Sequence, residues 1–358
     1  MKQKENKQKE NKQKEKVEQP KTFEGLVTNL NRDFGDGTIT FVNQGSKLNV
    51  DVIPTGAMTL DLALGVGGVP RSRIIEIFGA EGCGKTTLCL HIVANAQKKG
   101  GNAAYIDVEY ALDMTYAKNL GVDINHLALS QPDTGEQALS LVEGLLKSNM
   151  LDVIVVDSVA ALMTKAELEG EMGDQQMAPT ARLMSQALRK LTPLVGKSKT
   201  SLIFINQLRS KIGFFMGDPN TTPGGRALKF YSSVRIQMAR VASVKEGGEN
   251  IGGLVVANVL KNKVASPYKK CQFEIHYGLG ISAEASIIDV GTKIGIIKKN
   301  GSFLSHNDVK LGNGKMAAIS FLKNNTNITE EIKSEIMKKI SSAEGMLENG
   351  DDTEIQDQ

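Results

Sequence analysis

Between about Val52 and Tyr277, short apolar runs alternate with longer segments whose apolar residues recur three and four positions apart. Ile74–Phe78, Ala103–Val108, Leu127–Ser130, Leu151–Asp157 and Ser201–Asn206 are almost continuously apolar, the pattern of strands covered on both faces. The intervening segments read as helices. One begins at Leu88–Val93 and stops at Gly100-Gly101, and a second spans about Asp113–Leu120 and stops at Gly121. A third is opened by Thr134-Gly-Glu-Gln137, a capping box, and carries Leu139, Leu141, Val142 and Leu145. A fourth covers Ala181–Val195. Strand–helix alternation of this kind predicts an α/β fold around a central, mostly parallel sheet. Beyond Lys229 the helices drop out, and Ser232–Met238, Leu254–Lys261 and Cys271–Tyr277 read as an antiparallel extension of the sheet.

Five segments follow from the same pattern. Residues 1–21 repeat Lys-Gln-Lys-Glu-Asn with no apolar face and cannot bury enough surface to order themselves. Residues 22–50 hold a short amphipathic stretch (Phe23, Leu26, Leu30), closed by Gly35-Asp36-Gly37 and too short to be stable without docking on something. Residues 51–281 form the α/β core. Residues 282–343 read as a small α+β module with helices near Lys315–Lys323 and Thr329–Ile340, and 344–358 as an acidic disordered tail.

Composition narrows the class. The chain has 358 residues, 41% of them apolar, enough for a sizeable globular core. The net charge of +3 is concentrated at the start, where residues 1–21 carry eight lysines against four glutamates. That segment reads either as a weak nucleic-acid-binding arm or as a solvated tail. No apolar run approaches bilayer-spanning length and the opening residues lack an apolar leader, so a cytoplasmic protein without membrane contact is expected. Cys83, Cys89 and Cys271 form no CxxC pair and the four histidines are scattered, which supports neither a disulfide framework nor a zinc site.

The chemistry sits where strands end. Gly79, Ala80, Glu81, Gly82, Cys83, Gly84, Lys85 and Thr86 spell GxxxxGK[ST] between an apolar strand and a helix, with Thr87 following. In that context the glycines let successive N–H groups turn inward on an anion at a helix N-terminus. Lys85 would reach the β- and γ-phosphates of ATP, and the Thr86 hydroxyl would ligate Mg²⁺. Cys83 lies beside the helix start, a position that lowers a thiol pKa, so alkylation there is expected to block nucleotide binding. Asp157 closes the run Val153–Val156 and reads either as the carboxylate that holds Mg²⁺ or as a cap on the next turn. Because Ser158 follows it, no Asp-Glu pair supplies a base. Glu109, at the end of the strand after the phosphate-loop helix, is either that base or simply solvent-exposed. Gln207 closes another apolar strand and is placed to sense the γ-phosphate.

Leu208–Arg226 is a long stretch with little periodicity. Its cations Arg209, Lys211 and Arg226 and its apolar residues Ile212, Phe214, Phe215 and Met216 suit single-stranded nucleic acid. A flexible loop folding on the core or on a neighbouring subunit has the same composition. Glu167–Met177, through Gly170, is a weaker candidate for the same groove.

Several of these segments together resemble the bacterial RecA recombinase family. They are Glu81 and Gly84-Lys-Thr-Thr, Tyr105-Ile-Asp-Val-Glu-Tyr-Ala-Leu, Ser130-Gln-Pro-Asp-Thr-Gly-Glu-Gln-Ala-Leu, Val153-Ile-Val-Val-Asp-Ser-Val-Ala-Ala-Leu, Phe204-Ile-Asn-Gln, Ala227-Leu-Lys-Phe-Tyr and Lys261-Asn-Lys. The likeness runs from about Phe23 to Ile340. It implies a RecA-type P-loop ATPase core with a short N-terminal oligomerisation segment and a C-terminal module that captures duplex DNA. It also implies a DNA-dependent ATPase that forms a helical filament on single-stranded DNA, pairs it with a homologous duplex, and promotes self-cleavage of LexA-type repressors in the SOS response. By the same resemblance Glu109 is the catalytic carboxylate and Gln207 couples the γ-phosphate to DNA. Asp113, Tyr116 and Tyr277 surround adenine, and Lys261 and Lys263 reach nucleotide across a subunit interface. Glu167–Met177 and Leu208–Arg226 line the DNA groove, Phe230 contacts the neighbouring subunit, and Lys298, Lys299 and Lys315 face the duplex. Two features depart from the family pattern: the order Phe214-Phe215-Met216, where an aromatic usually follows the apolar pair, and the repetitive extension 1–21.

Overall fold

The computed structural model describes residues 22–35, 39, 50–171, 178–210 and 220–348. The chain divides into two compact units, Met1–Asn49 and Val50–Gln358. In the first, Thr22 caps helix α1 (Phe23–Phe34) by accepting from Gly25 N, and Gly35 ends it with a φ of 105°.

The second unit opens with β1 (Val52–Ile53), α2 (Met58–Leu64), β2 (Val69–Pro70), the phosphate-loop strand β3 (Arg73–Gly79) and helix α3 (Lys85–Lys98). It continues through β4 (Ala103–Asp107), α4 (Met114–Asn119), β5 (Leu127–Ser130), α5 (Gly135–Ser148), β6 (Val153–Asp157), α6 (Lys165–Glu169), α7 (Pro179–Lys197) and β7 (Ser201–Gln207). The short pair β8 (Arg209–Ser210) and β9 (Asn220–Thr221) precedes α8 (Ala227–Tyr231), β10 (Val234–Glu246), β11 (Glu249–Asn262), β12 (Lys270–His276) and β13 (Gly280–Ile281). The chain then forms α9 (Ala283–Lys293), β14 (Ile297–Asn300), β15 (Phe303–His306), β16 (Val309–Asn313), α10 (Lys315–Asn324) and α11 (Thr326–Glu348).

Nine strands form one sheet in the order β13-β12-β11-β10-β3-β7-β6-β4-β5. From β10 to β5 all neighbours are parallel, so the carboxyl ends of β3, β4, β6 and β7 meet along one edge. Period-two alternation explains the continuous apolar runs. Val153, Val155, Ile203 and Ile205 enter the core that holds α3, whereas Ile154, Val156, Leu202 and Phe204 enter the core under α5 and α7. Helix α3 is buried nearly all round, whereas α7 buries a stripe of Met184, Leu188, Leu191 and Val195.

The antiparallel extension is longer than the apolar pattern implies. β10 and β11 pair from Val234↔Asn262 to Glu246↔Glu249, across a Gly247-Gly248 turn with both φ positive. Residues Arg240–Glu246 are polar, small or exposed, so backbone pairing continues after burial has stopped. At Thr134 the expected reciprocal cap is only half made: Thr134 accepts from Gln137 N, but Gln137 Oε1 takes Asp133 N. The C-terminal module adds α9 and a three-stranded sheet, β14-β15-β16, to the two expected helices. Ile287, Ile288, Leu304, Leu311, Ile319, Ile332 and Ile336 form its core, with Met58 and Leu62 of α2 packed against it. Helix α11 runs to Glu348, five residues into the stretch expected to be a disordered tail; 1–21 and 349–358 lie outside the described residues. Among the described residues no helix is long and apolar enough to cross a membrane.

Candidate nucleotide site

The phosphate loop leaves β3 at Gly79 and enters α3 through Gly84, whose φ is 89°. A Cβ on Gly79 would lie 2.2 Å from Met238 O, and one on Gly84 would lie 2.2 Å from Ile275 Cδ1. Only glycine lets the loop bend this tightly against the sheet. Lys85 folds its ammonium back onto the loop, 3.2 Å from Gly79 O and 2.8 Å from Ala80 O. The buried Asp157 carboxylate accepts two hydroxyl donors at one oxygen, Thr86 Oγ1 at 2.8 Å and Tyr105 Oη at 2.6 Å. Burial pushes the Asp157 pKa up, and those two hydrogen bonds oppose the shift.

Beside it lies a second carboxylate in a wetter setting. Val108 N and Glu109 N donate to Asp157 O at 2.7 and 3.3 Å, which holds the end of β4 against β6. Glu109 is exposed, and its Oε1 accepts from Ser158 Oγ and, at 3.1 Å, from Gln207 Nε2. Gln207 pairs in register with Gly79 across β7 and β3, so the phosphate loop, Glu109 and Gln207 are neighbours through the sheet itself.

A cleft of about 380 Å³ opens over the loop, lined by Gly82–Thr87, Tyr116, Arg240, Gly253, Val255 and Ile275–Gly278. Tyr116 Oη and Thr87 Oγ1 are 3.0 Å apart, and Asp113 caps α4 by accepting from Thr115 N and Tyr116 N. Arg240 donates to Tyr277 Oη and lies 5.5 Å over its ring. Sequence reasoning missed Arg240, which sits on the exposed ribbon in no motif, and Tyr105, whose hydroxyl is invisible in an apolar run. An anion cradle at a helix start, a lysine, and two aromatic walls with a cation fit a nucleoside triphosphate.

Other expected site residues fare differently. Cys83 is buried, and burial raises its thiol pKa against the opposing effect of Lys85; the expected reactive, low-pKa thiol is corrected. Lys315 is ion-paired, its Nζ 2.8 Å from both Glu274 and Asp289. The Glu167 carboxylate accepts from Thr164 N and Oγ1 as a helix cap. Gly170 ends α6, and Arg209 and Arg226 are exposed on β8 and before α8. Lys211, Ile212, Phe214, Phe215, Met216 and Met177 lie outside the described residues. Lys298 and Lys299 are exposed on β14. Lys261 bonds to Lys229 O and Phe230 O at 2.7 and 2.8 Å, while Lys263 and Phe230 are exposed. Lys261 faces Arg235, toward the start of β10, whereas Met238 faces Gly79, so within one chain Lys261 does not approach the loop.

Such an edge of parallel strands, built around a phosphate loop with separate buried and exposed carboxylates, makes this a P-loop nucleoside triphosphatase. Residues 21–282 match the RecA N-terminal domain, and residues 285–341 match the RecA C-terminal domain. Protein RecA of Caldanaerobacter subterraneus subsp. tengcongensis is 53% identical over 340 residues, covering 95% of this chain and 99% of that protein. Protein RecA of Clostridium novyi is 54% identical over 322 residues, covering 90% and 92%. The chain belongs to the RecA family. Its class of activity is that of an ATP-binding, DNA-dependent ATPase acting in homologous recombination and DNA repair.

Proposed function

We propose that ATP bound between neighbouring copies of this chain switches a filament on single-stranded DNA, with the signal passing through Glu109 and Gln207. One observation carries this: Gln207 Nε2 is hydrogen-bonded to Glu109, and Gln207 stands two residues before β8, at the mouth of the Leu208–Arg226 segment. The group that would orient water for hydrolysis therefore takes a hydrogen bond from the residue that leads into the segment assigned to DNA. Lys85 leaves its loop carbonyls to meet the β- and γ-phosphates. Thr86 and Asp157 would hold Mg²⁺, which would supply positive charge against the phosphates. Glu109 accepts the proton of the attacking water, its carboxylate oriented by the Ser158 and Gln207 donors. Tyr116, Tyr277 and Asp113 surround the base, and Lys261 and Lys263 serve the adjoining subunit's nucleotide. Lys298 and Lys299 keep the duplex-facing role, while Lys315 and Glu167 act structurally. A cytoplasmic location and support of LexA-type repressor self-cleavage belong to the same reading. ATP turnover measured with and without single-stranded DNA, together with electron microscopy, tests it. Turnover that needs DNA and helical filaments are expected; DNA-indifferent turnover by a monomer, or closed rings, would overturn it.

A further inference from the structure

The C-terminal module gathers a donor set that lies far apart in sequence. His306 ends β15 with its side chain 2% exposed, facing Glu331 and Glu335, which stand one turn apart on α11. Its Nδ1 is 3.3 Å from Ile296 O, an acceptor that suits an Nδ1–H donor. Its Nε2 is 3.3 Å from Asn307 Nδ2, an amide donor that suits a lone pair on Nε2. Both glutamate Oε1 atoms lie 3.7 Å from Nε2, too far for a hydrogen bond. The three ligand atoms all fall within 4.8 Å of one another. The Nε2 edge of a buried, oriented imidazole thus faces two carboxylates across a gap. A backbone carbonyl fixing the second ring nitrogen is the arrangement that orients metal-binding histidines. Among the described residues no Lys or Arg forms an ion pair with either glutamate.

We propose that His306, Glu331 and Glu335 bind one divalent transition-metal ion of the zinc class, clamping α11 to the small sheet. One nitrogen and two oxygen donors suit Zn²⁺ or Co²⁺ better than Mg²⁺, which prefers an all-oxygen shell. The glutamates, 55% and 41% exposed, leave entry open from solvent and can rotate inward to shorten the ligand separations. Asn307 releases Nε2 by turning its amide.

The test uses the full-length protein free of nucleotide and DNA, titrated with Zn²⁺ alone in excess Mg²⁺. Calorimetry reads stoichiometry, and long-range ¹H–¹⁵N spectra read the four histidine rings. One Zn²⁺ per chain is expected, with the His306 ring resonances shifting. The Glu331→Gln/Glu335→Gln double variant alters only partly exposed side chains, and its fold is checked by circular dichroism. It should bind at least about tenfold more weakly. No binding, an unmoved His306 ring, or equal binding by the double variant would overturn the proposal. Equal binding would mark an adventitious ion only, for instance at the exposed His126–Asp123 pair.

Discussion

Replacing Tyr105 by Phe removes one oxygen from a fully buried position and keeps the ring. That oxygen donates to Asp157 Oδ2 at 2.6 Å, alongside the Thr86 hydroxyl. A hydrogen bond to a charged acceptor contributes about 1.5–3 kcal/mol. Asp157 is already pushed toward its protonated form by burial, so losing this donor costs the carboxylate, the form that would hold Mg²⁺ in the function proposed above. At about 1.36 kcal/mol per tenfold, ATP binding in the presence of Mg²⁺ should weaken by about 10- to 150-fold. The upper figure is a ceiling, since the Thr86 bond remains. Binding of a fluorescent ATP analogue, with Mg²⁺ and with EDTA, separates this loss from a general one. The defect should appear only with Mg²⁺ and deepen as pH falls, because protons then compete for Asp157. A folded Tyr105→Phe protein that binds ATP–Mg²⁺ like the wild type at every pH would refute the role given to Asp157.

Glu109→Gln should keep ATP-dependent DNA binding while turnover falls by about 10²–10⁴-fold, the usual contribution of a positioned base; single-turnover hydrolysis at near-normal rate would exclude Glu109. His91 accepts from Ile281 N at 2.8 Å, and burial holds its pKa down at about 4. The unfolded chain alone binds that proton between about pH 4 and 6.5, so His91 adds stability with rising pH, up to about 3 kcal/mol. Asp61, which burial pushes up to about 7, acts oppositely and removes stability across about pH 4 to 7. Relative to wild type, His91→Gln should lose stability over that window and Asp61→Asn gain it in urea titrations, and parallel curves would contradict both. Glu76, fully buried, pairs with Arg235 and Asn206 beneath the loop; Glu76→Gln strands a largely buried guanidinium and should cost up to about 3–5 kcal/mol, whereas a shift of only tenths would show Arg235 is hydrated.

How legible each feature was depends on how local its cause is. The phosphate loop, its strand and its helix could be read directly because glycine conformation and strand burial are written within ten residues. The parallel core was equally plain, since both-face burial makes runs such as Val153–Val156 continuous. The ribbon of β10 and β11 escaped because backbone pairing needs no apolar side chains once an Asn- or Gly-rich turn is set. Cys83 was misjudged because its environment is built from distant residues, Met238 and Ile275 around the loop, and the ion pair of Lys315 with Glu274 was hidden for the same reason. The contacts Tyr105–Asp157, Arg240–Tyr277 and His306–Glu331–Glu335 join separate strands and helices, and nothing in their local spacing marks them.

The link between the nucleotide and the DNA segment is tested most directly at Gln207, which touches Glu109 but does not line the nucleotide cleft. Single-stranded DNA affinity should be measured with and without ATP for wild type and Gln207→Ala, at fixed salt. The variant is predicted to bind ATP normally yet lose most of the ATP-induced gain in DNA affinity. An undiminished gain in the variant would contradict the relay.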